Sequence, residues 1–239
     1  MGAEFCRRLD QKGLDSIWMI SRRQDLMEDV AEDLKTPCRI ISADLTDRIQ
    51  LDSIRQVLES ESPDIQYLVN CAGFGAFGMS WKIPKERTRS MIDLNVTALV
   101  EITNMCVPHM VRGGHIIELC SESAYIEMYD LNVYASTKAF VKHYCGGLRK
   151  ELSCRSISVT EVSPGWVRTD FIDIAKADGK IPEKVFKGIV EKEDIVREAL
   201  IAADKGKKRS ICGASNRLIA SISTHFPGTA ANAWKRRFD

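Results

Sequence analysis

Short apolar runs and helix-period stretches take turns along this chain from one end almost to the other, and that order constrains the fold more than any single residue. Residues 16–20 form an apolar run between Gly13 and the polar Ser21-Arg22-Arg23, which suits a buried strand. The next helix carries Leu26, Val30 and Leu34 at i, i+4 and i+8, and Ser21 and Gln24 have capping-box spacing at its start. Further strands are expected at 38–43, 65–70, 115–120, 157–163 and around 209–212. Helices near 3–12, through Ile54, Val57 and Leu58, and over about 85–110, 133–154 and 192–204 account for the remaining regular structure. Strands joined by helices imply right-handed crossovers and a parallel sheet with helices on both faces. The fold class is therefore α/β, a doubly wound parallel sheet. In such sheets ligands bind at the carboxyl ends of the strands, where Arg22, Asp44, Asn70, Ser121 and Pro164-Gly165 all fall.

Length and charge bound the function. A chain of 239 residues suits one large domain or two small ones. No repeat or linker interrupts it before residue 205, so 1–205 reads as a single domain and 206–239 as a last strand with a helical tail, packed on that domain or on a partner subunit. A net charge of +1 gives no electrostatic reason to expect nucleic acid or an anionic membrane. No stretch approaches the ~20 apolar residues of a membrane span, and the start lacks a signal-peptide pattern. The eight cysteines form no Cys-x-x-Cys pair and no His has zinc-ligand spacing, so no metal is expected. Cysteines inside apolar runs act as small buried hydrophobes, which fits a reducing, cytoplasmic setting.

Chemistry concentrates at residues 121–138. Tyr134 and Lys138 are four apart and share a helix face. A phenol loses its proton near pH ~10, and a nearby ammonium lowers that value, so the pair can move a proton. Taken alone, Tyr-x-x-x-Lys is more often two residues on a solvated face. Gly73-Phe74-Gly75-Ala76-Phe77-Gly78 matches the G-x-G-x-x-G fingerprint, but Pro84 follows and the helix begins late, so a pyrophosphate loop is not expected there. Asn70-Cys71-Ala72-Gly73 is the better candidate, a polar strand end whose small residues let backbone approach a flat ligand.

These motifs together resemble the short-chain dehydrogenase/reductase family, in its short single-domain branch. Asn70-Cys71-Ala72-Gly73 is similar to the family's Asn-x-Ala-Gly, and Asp93-Leu94-Asn95-Val96 to the segment with its catalytic asparagine. Ser121 lies thirteen residues before Tyr134, the family's serine–tyrosine separation, which favours it over Ser123. Pro164-Gly165-Trp166-Val167-Arg168-Thr169 is similar to the family's segment at the nicotinamide, and Asp44 falls where it places an aspartate at the adenine. The resemblance spans roughly residues 2–205 and implies catalytic roles for Asn95, Ser121, Tyr134 and Lys138. Tyr134 would exchange a proton with a ketone or alcohol, Ser121 would hold its oxygen, Lys138 would lower the tyrosine pKa and bind ribose, and Asn95 would support a water-linked proton path. It implies cofactor contacts from Gly2, Arg22, Arg23, Asp44, Leu45, Asn70, Ala72, Gly73, Tyr134, Lys138, Pro164, Gly165, Val167 and Thr169. Arg22 and Arg23 stand where an NAD enzyme carries an acid, so NADPH is expected over NADH.

The chain departs from the family at both ends. Met1-Gly2-Ala3-Glu4-Phe5 matches only the end of the family's glycine-rich loop, with Gly2 as its last glycine, so the sheet reads as N-terminally truncated. The absent strand belongs mid-sheet, and its loss is expected to unpair two neighbours and remove pyrophosphate donors. Either Met1 is internal to a longer chain, which the intact downstream motifs favour, or this is a degraded relative. Residues 1–239 alone are expected to be poorly stable and weakly active. In the tail, Leu218, Ile219 and Ile222 suit an amphipathic helix, and Trp234-Lys235-Arg236-Arg237 ends a second piece. A contact within the chain or with a subunit is the default; covering the cleft and resting on a membrane are the other options.

The leading expectation is a carbonyl reductase or secondary-alcohol dehydrogenase acting as a homodimer or homotetramer. Trp166, Phe171 and the loop at 122–130 should line a cleft for a lipophilic body with one polar handle. The alternative is an inactive or nucleotide-sensing relative on the same fold. A sugar-nucleotide epimerase shares Tyr-x-x-x-Lys, but this chain lacks room for a larger C-terminal substrate domain.

Overall fold

A computed structural model describes residues 1–176, 181–186 and 188–238. The strands are β1 Ile17–Ser21, β2 Cys38–Ser42, β3 Ile65–Asn70, β4 Met110–Leu119, β5 Ser158–Val162 and β6 Arg209–Ser210. The α-helices are α1 Gly2–Leu9, α2 Gln24–Glu32, α3 Arg48–Glu61, α4 Lys85–Ile92, α5 Leu99–Cys106, α6 Asn132–Glu151, α7 Phe171–Lys176, α8 Lys192–Asp204, α9 Ala214–His225 and α10 Pro227–Lys235. Every strand pair is parallel. Adjacent residues of β4 face opposite layers, as the two-residue period of a strand requires. Ile116 joins Leu51, Ile54, Leu99, Val141 and Val159 on one face of the sheet. Ile117 joins Phe5, Met19, Val162, Ile195 and Ala199 on the other. Burying each such side chain contributes roughly 1.5–3 kcal/mol, so the two layers hold the sheet from both faces.

Local departures from expectation have local causes. The helix that begins at Gln24 has no capping box: Ser21 Oγ accepts from Arg23 N at 3.2 Å, and Gln24 Nε2 turns to Glu28 Oε1 at 2.8 Å. The side-chain cap appears instead at α3, where Asp47 Oδ1 accepts from Ile49 N at 2.9 Å. The expected helix over 85–110 stops at Cys106, because Pro108 in the next turn lacks an N–H donor and β4 starts at Met110. Between α4 and α5 the helix widens to π geometry over Asp93–Ala98, a rare form that commonly marks functional positions.

The strands fall into two sheets, β1–β2 and β3–β4–β5–β6. Among the described residues no ladder joins β1 to β3. A cavity of about 1960 Å³ reaches between them, lined by Ile17 and Met19 on one side and Tyr67 and Val69 on the other, and continues to the carboxyl ends of the strands. No helix among the described residues is long and apolar enough to cross a membrane.

Candidate active site

Loops leaving β3, β4 and β5 bring the polar residues to one end of the sheet. After β4, the Ser121 hydroxyl accepts from Ser123 N at 3.1 Å and opens a tight turn over Glu122–Tyr125. That hydroxyl also lies near enough to the Tyr134 phenol to oppose the rise that burial causes in its pKa. Tyr134 and Lys138 share the inner face of α6 and are both buried. Lys138 Nζ lies 5.8 Å from the centre of the Tyr134 ring and donates to the Leu119 carbonyl at 2.7 Å. Phe171 closes against the phenol with ring centres 5.3 Å apart.

Asn95 sits behind this group, in the π turn and fully buried. Its amide brackets the backbone of Phe74, accepting from Phe74 N at 3.0 Å and donating to Phe74 O at 2.9 Å, and it donates to Thr137 Oγ1 at 3.1 Å. The loop after β3 is thereby tied to α6. Gly73 lies so close that a Cβ there would stand 2.9 Å from Asn95 Oδ1. The Gly73–Gly78 stretch runs without a helix until Lys85, with Gly78 N bonded to Asp130 O at 2.8 Å, so the G-x-G-x-x-G pattern opens no helix.

The cavity gathers the remaining positions. Gly2, Arg22, Arg23, Asp44, Leu45, Asn70, Ala72, Gly73, Ser121, Tyr134, Lys138, Pro164, Gly165, Val167 and Thr169 all line it, and Asn95 does not. Asp44 is shaped by its own turn: Oδ1 accepts from Thr46 N at 2.8 Å and Thr46 Oγ1 at 2.7 Å. Those bonds, with the Arg22 guanidinium 3.6 Å away, hold its carboxyl below the ordinary range. The Asn70 amide turns inward, donating to Thr103 Oγ1 at 2.9 Å and Glu118 Oε1 at 3.1 Å.

A family model described as short chain dehydrogenase matches residues 1–178. The chain belongs to that family. Like its relatives, this short-chain dehydrogenase is an oxidoreductase. The NADP-dependent 3-hydroxy acid dehydrogenase YdfG of Shigella flexneri is 33% identical over 195 residues, covering 79% of this chain and 78% of that protein. Serine 3-dehydrogenase of Agrobacterium fabrum is 28% identical over 216 residues, covering 88% and 86%. A solved short-chain dehydrogenase from Sphingobium yanoikuyae in complex with NADPH matches with a TM-score of 0.78 at 26% identity, covering 94% of this chain and 89% of that one.

The electrostatics differ from the resemblance in one respect. Burial pushes the Tyr134 phenol well up, and the Ser121 hydroxyl pulls it only partly back. Burial also lowers Lys138. The expected lowering of the tyrosine by its ammonium neighbour does not outweigh desolvation in the protein alone. The walls suit a flat dinucleotide, because side-chain-free backbone at Gly73 and Gly165 lines the cavity, and neither position has room for a Cβ, which would stand 2.9 Å from Asn95 or 3.0 Å from Glu122.

Sequence reasoning missed Glu118, Asn216 and Arg237, and treated Glu122 only as part of a loop. Glu118 left a signal, a carboxylate inside the apolar run 115–120. Asn216 and Arg237 left none, because the tail reaches the cleft only through the fold, whereas Glu122 fell within the loop at 122–130 that was expected to line it.

Proposed function

We propose that this short-chain dehydrogenase transfers a hydride between NADPH and a ketone or secondary alcohol, with Tyr134 as the acid or base. The observation that carries this reading is the convergence of Ser121, Tyr134 and Lys138 in one cavity, where the nearby serine hydroxyl opposes the rise of the phenol. The cofactor, when bound, supplies the hydride. Tyr134 gives its proton to the substrate oxygen, or takes one back in the reverse direction. Ser121 holds the same oxygen, and Lys138 stabilises the phenolate as charge develops. Asn95 acts from behind by fixing the Phe74 backbone and the start of α6, and in the family's scheme it also supports a proton path to Lys138.

NADP is the cofactor named for YdfG and for the Sphingobium structure, and two exposed arginines at the end of β1 suit a 2′-phosphate. Arg22 and Arg23 would hold that phosphate, Asp44 and Leu45 the adenosine, and Gly2 at the amino end of α1 the pyrophosphate. Tyr134 and Lys138 would hold ribose; Asn70, Ala72, Gly73, Pro164, Gly165, Val167 and Thr169 would form the nicotinamide walls. Trp166 and Phe171 favour a lipophilic substrate body. We place the protein in the cytoplasm and read it as a homodimer or homotetramer, the assembly being supported by Phe140, which lies exposed on α6 stacked on Tyr144.

The test follows NADPH absorbance with a panel of ketones. Tyr134→Phe is expected to lower kcat by about 10²–10⁴-fold; unchanged turnover would remove the proposed acid. Matched kinetics should favour NADPH over NADH, and Arg22→Ala with Arg23→Ala should erase most of that preference. An equal preference in the unaltered protein refutes the role of the two arginines.

A further inference from the structure

The substrate end of the cavity holds a buried acid, Glu122, among aromatic and polar neighbours. Glu122 follows Ser121, and its backbone N–H donates to the Pro164 carbonyl at 2.9 Å. Its carboxylate lies over Gly165, where a Cβ would come within 3.0 Å of Oε2, and it lines the same cavity as Tyr134 and Phe171. Among the described residues, Oε1 is buried with no hydrogen-bond partner, and no cation forms an ion pair with the carboxylate. The neighbouring Asn216 gives one Nδ2 hydrogen to the Cys212 carbonyl at 2.9 Å and forms no hydrogen bond with Glu122. Arg237 acts on Glu122 only through space: its guanidinium lies 5.5 Å from the Trp234 ring centre, and Nη1 donates to the Val185 carbonyl at 3.4 Å. Burial raises the Glu122 carboxyl to about 7.

A carboxylate taken out of water without a partner is costly, and an arriving cation offsets that cost. The surrounding walls point the same way. Trp166 and Trp234 stack with ring centres 6.4 Å apart, and both line the cavity with Glu122. A carboxylate beside aromatic faces is the chemistry that recognises a protonated nitrogen. The positive field of Arg237 reaches Glu122 and opposes a cation there, but burial outweighs it and leaves the carboxyl raised.

We propose that Glu122 is a specificity-determining residue that binds a protonated amine on the substrate, so that amino ketones and amino alcohols are preferred over neutral isosteres. This rests on the function proposed above and names the polar handle of its substrate. The test compares binding within two isosteric pairs, 4-aminobutan-2-one against pentan-2-one and 4-(aminomethyl)acetophenone against 4-ethylacetophenone. Titrations read tryptophan fluorescence, with and without NADP⁺, so no turnover is required. In at least one pair the amine is expected to bind about 10- to 100-fold more tightly, the worth of one charge-assisted hydrogen bond. In Glu122→Gln the ratio should fall to within about threefold of one, and in Arg237→Gln, which removes the nearby positive charge, it should rise. Equal or weaker amine binding in both pairs overturns the proposal, as does a ratio that survives Glu122→Gln or falls in Arg237→Gln. Amine-selective binding without hydride transfer from NADPH would sink the proposed function and leave this inference standing. Ketone reduction indifferent to the amine would do the reverse.

Discussion

Glu118 and Glu161 occupy adjacent strands, both almost wholly buried, and show what a carboxylate needs inside a protein. Glu161 is well served: it hydrogen-bonds Tyr125, accepts from Ser163 Oγ at 2.8 Å and has the Arg209 guanidinium at 3.6 Å. Glu118 has the Asn70 amide and the Thr103 hydroxyl, both at 3.1 Å, while Oε2 has no partner. Thr103 has one hydroxyl proton and stands 2.7 Å from the Leu99 carbonyl. A protonated Glu118 that donates back to Thr103 removes the competition for that proton. Burial raises this carboxyl from 4.5 to about 8, with Asn70, Thr103 and the Lys138 charge opposing. A raised carboxyl means that the folded state holds the proton longer than the unfolded one. Its contribution is full below pH 4.5 and is lost as pH rises toward about 8. Replacing it by the neutral amide in Glu118→Gln should therefore help more at high pH. Denaturant unfolding is expected to show a change in relative stability on the order of 2–4 kcal/mol between pH 5 and pH 8, in favour of the variant at pH 8. A difference that does not vary with pH would show that Glu118 does not titrate in this window.

Among elements, the π turn and the tail matter most to the site. The π turn over Asp93–Ala98 sets Asn95 so that one amide reaches both the Phe74 backbone and Thr137. The tail is pinned by α10, where buried Trp234 donates Nε1 to the Tyr129 carbonyl at 2.7 Å. Its ring also packs on Trp166 and Phe238. An amphipathic pattern alone leaves three fates open for such a tail; in the structure this aromatic cluster packs it on its own chain, over the cleft. Trp234→Ala removes the hydrogen bond and leaves a void, at a cost on the order of 3–5 kcal/mol to the docked tail. Limited proteolysis should then cut within 214–238 well before the sheet, and substrate KM should rise. Cleavage at the unaltered rate would mean that α10 is held by something else.

At the scale of the molecule, the division into two sheets is the dominant feature. Strands β4 and β5 pair on both sides, whereas β1 and β3 each present one edge to the cavity. Unpaired edge amides meet water, and a helix layer on each face does not replace their ladder bonds. Hydrogen exchange should therefore be fastest in the β1 and β3 amides that face each other and slowest in β4 and β5. Uniform protection across the six strands would contradict the division.

Much of this molecule was legible from residue order. Alternating apolar runs and helical periods determined the parallel α/β fold, because each strand needs two covered faces and each crossover needs a helix. Spacing placed Tyr134 and Lys138 on one helix face, and the resemblance to the short-chain dehydrogenases implied Ser121 beside them. What residue order could not decide was how burial and partners are shared out. Gln24 lost its capping role to an exposed contact with Glu28. The phenol of Tyr134 rose because the fold dries its surroundings. Glu122 shares its cavity with Trp234 and feels the charge of Arg237 only because the tail folds back over the cleft. Periodicity is a property of neighbours in sequence, so the chain carries it openly; desolvation and long-range contact depend on every element at once, and only the tertiary structure decides them.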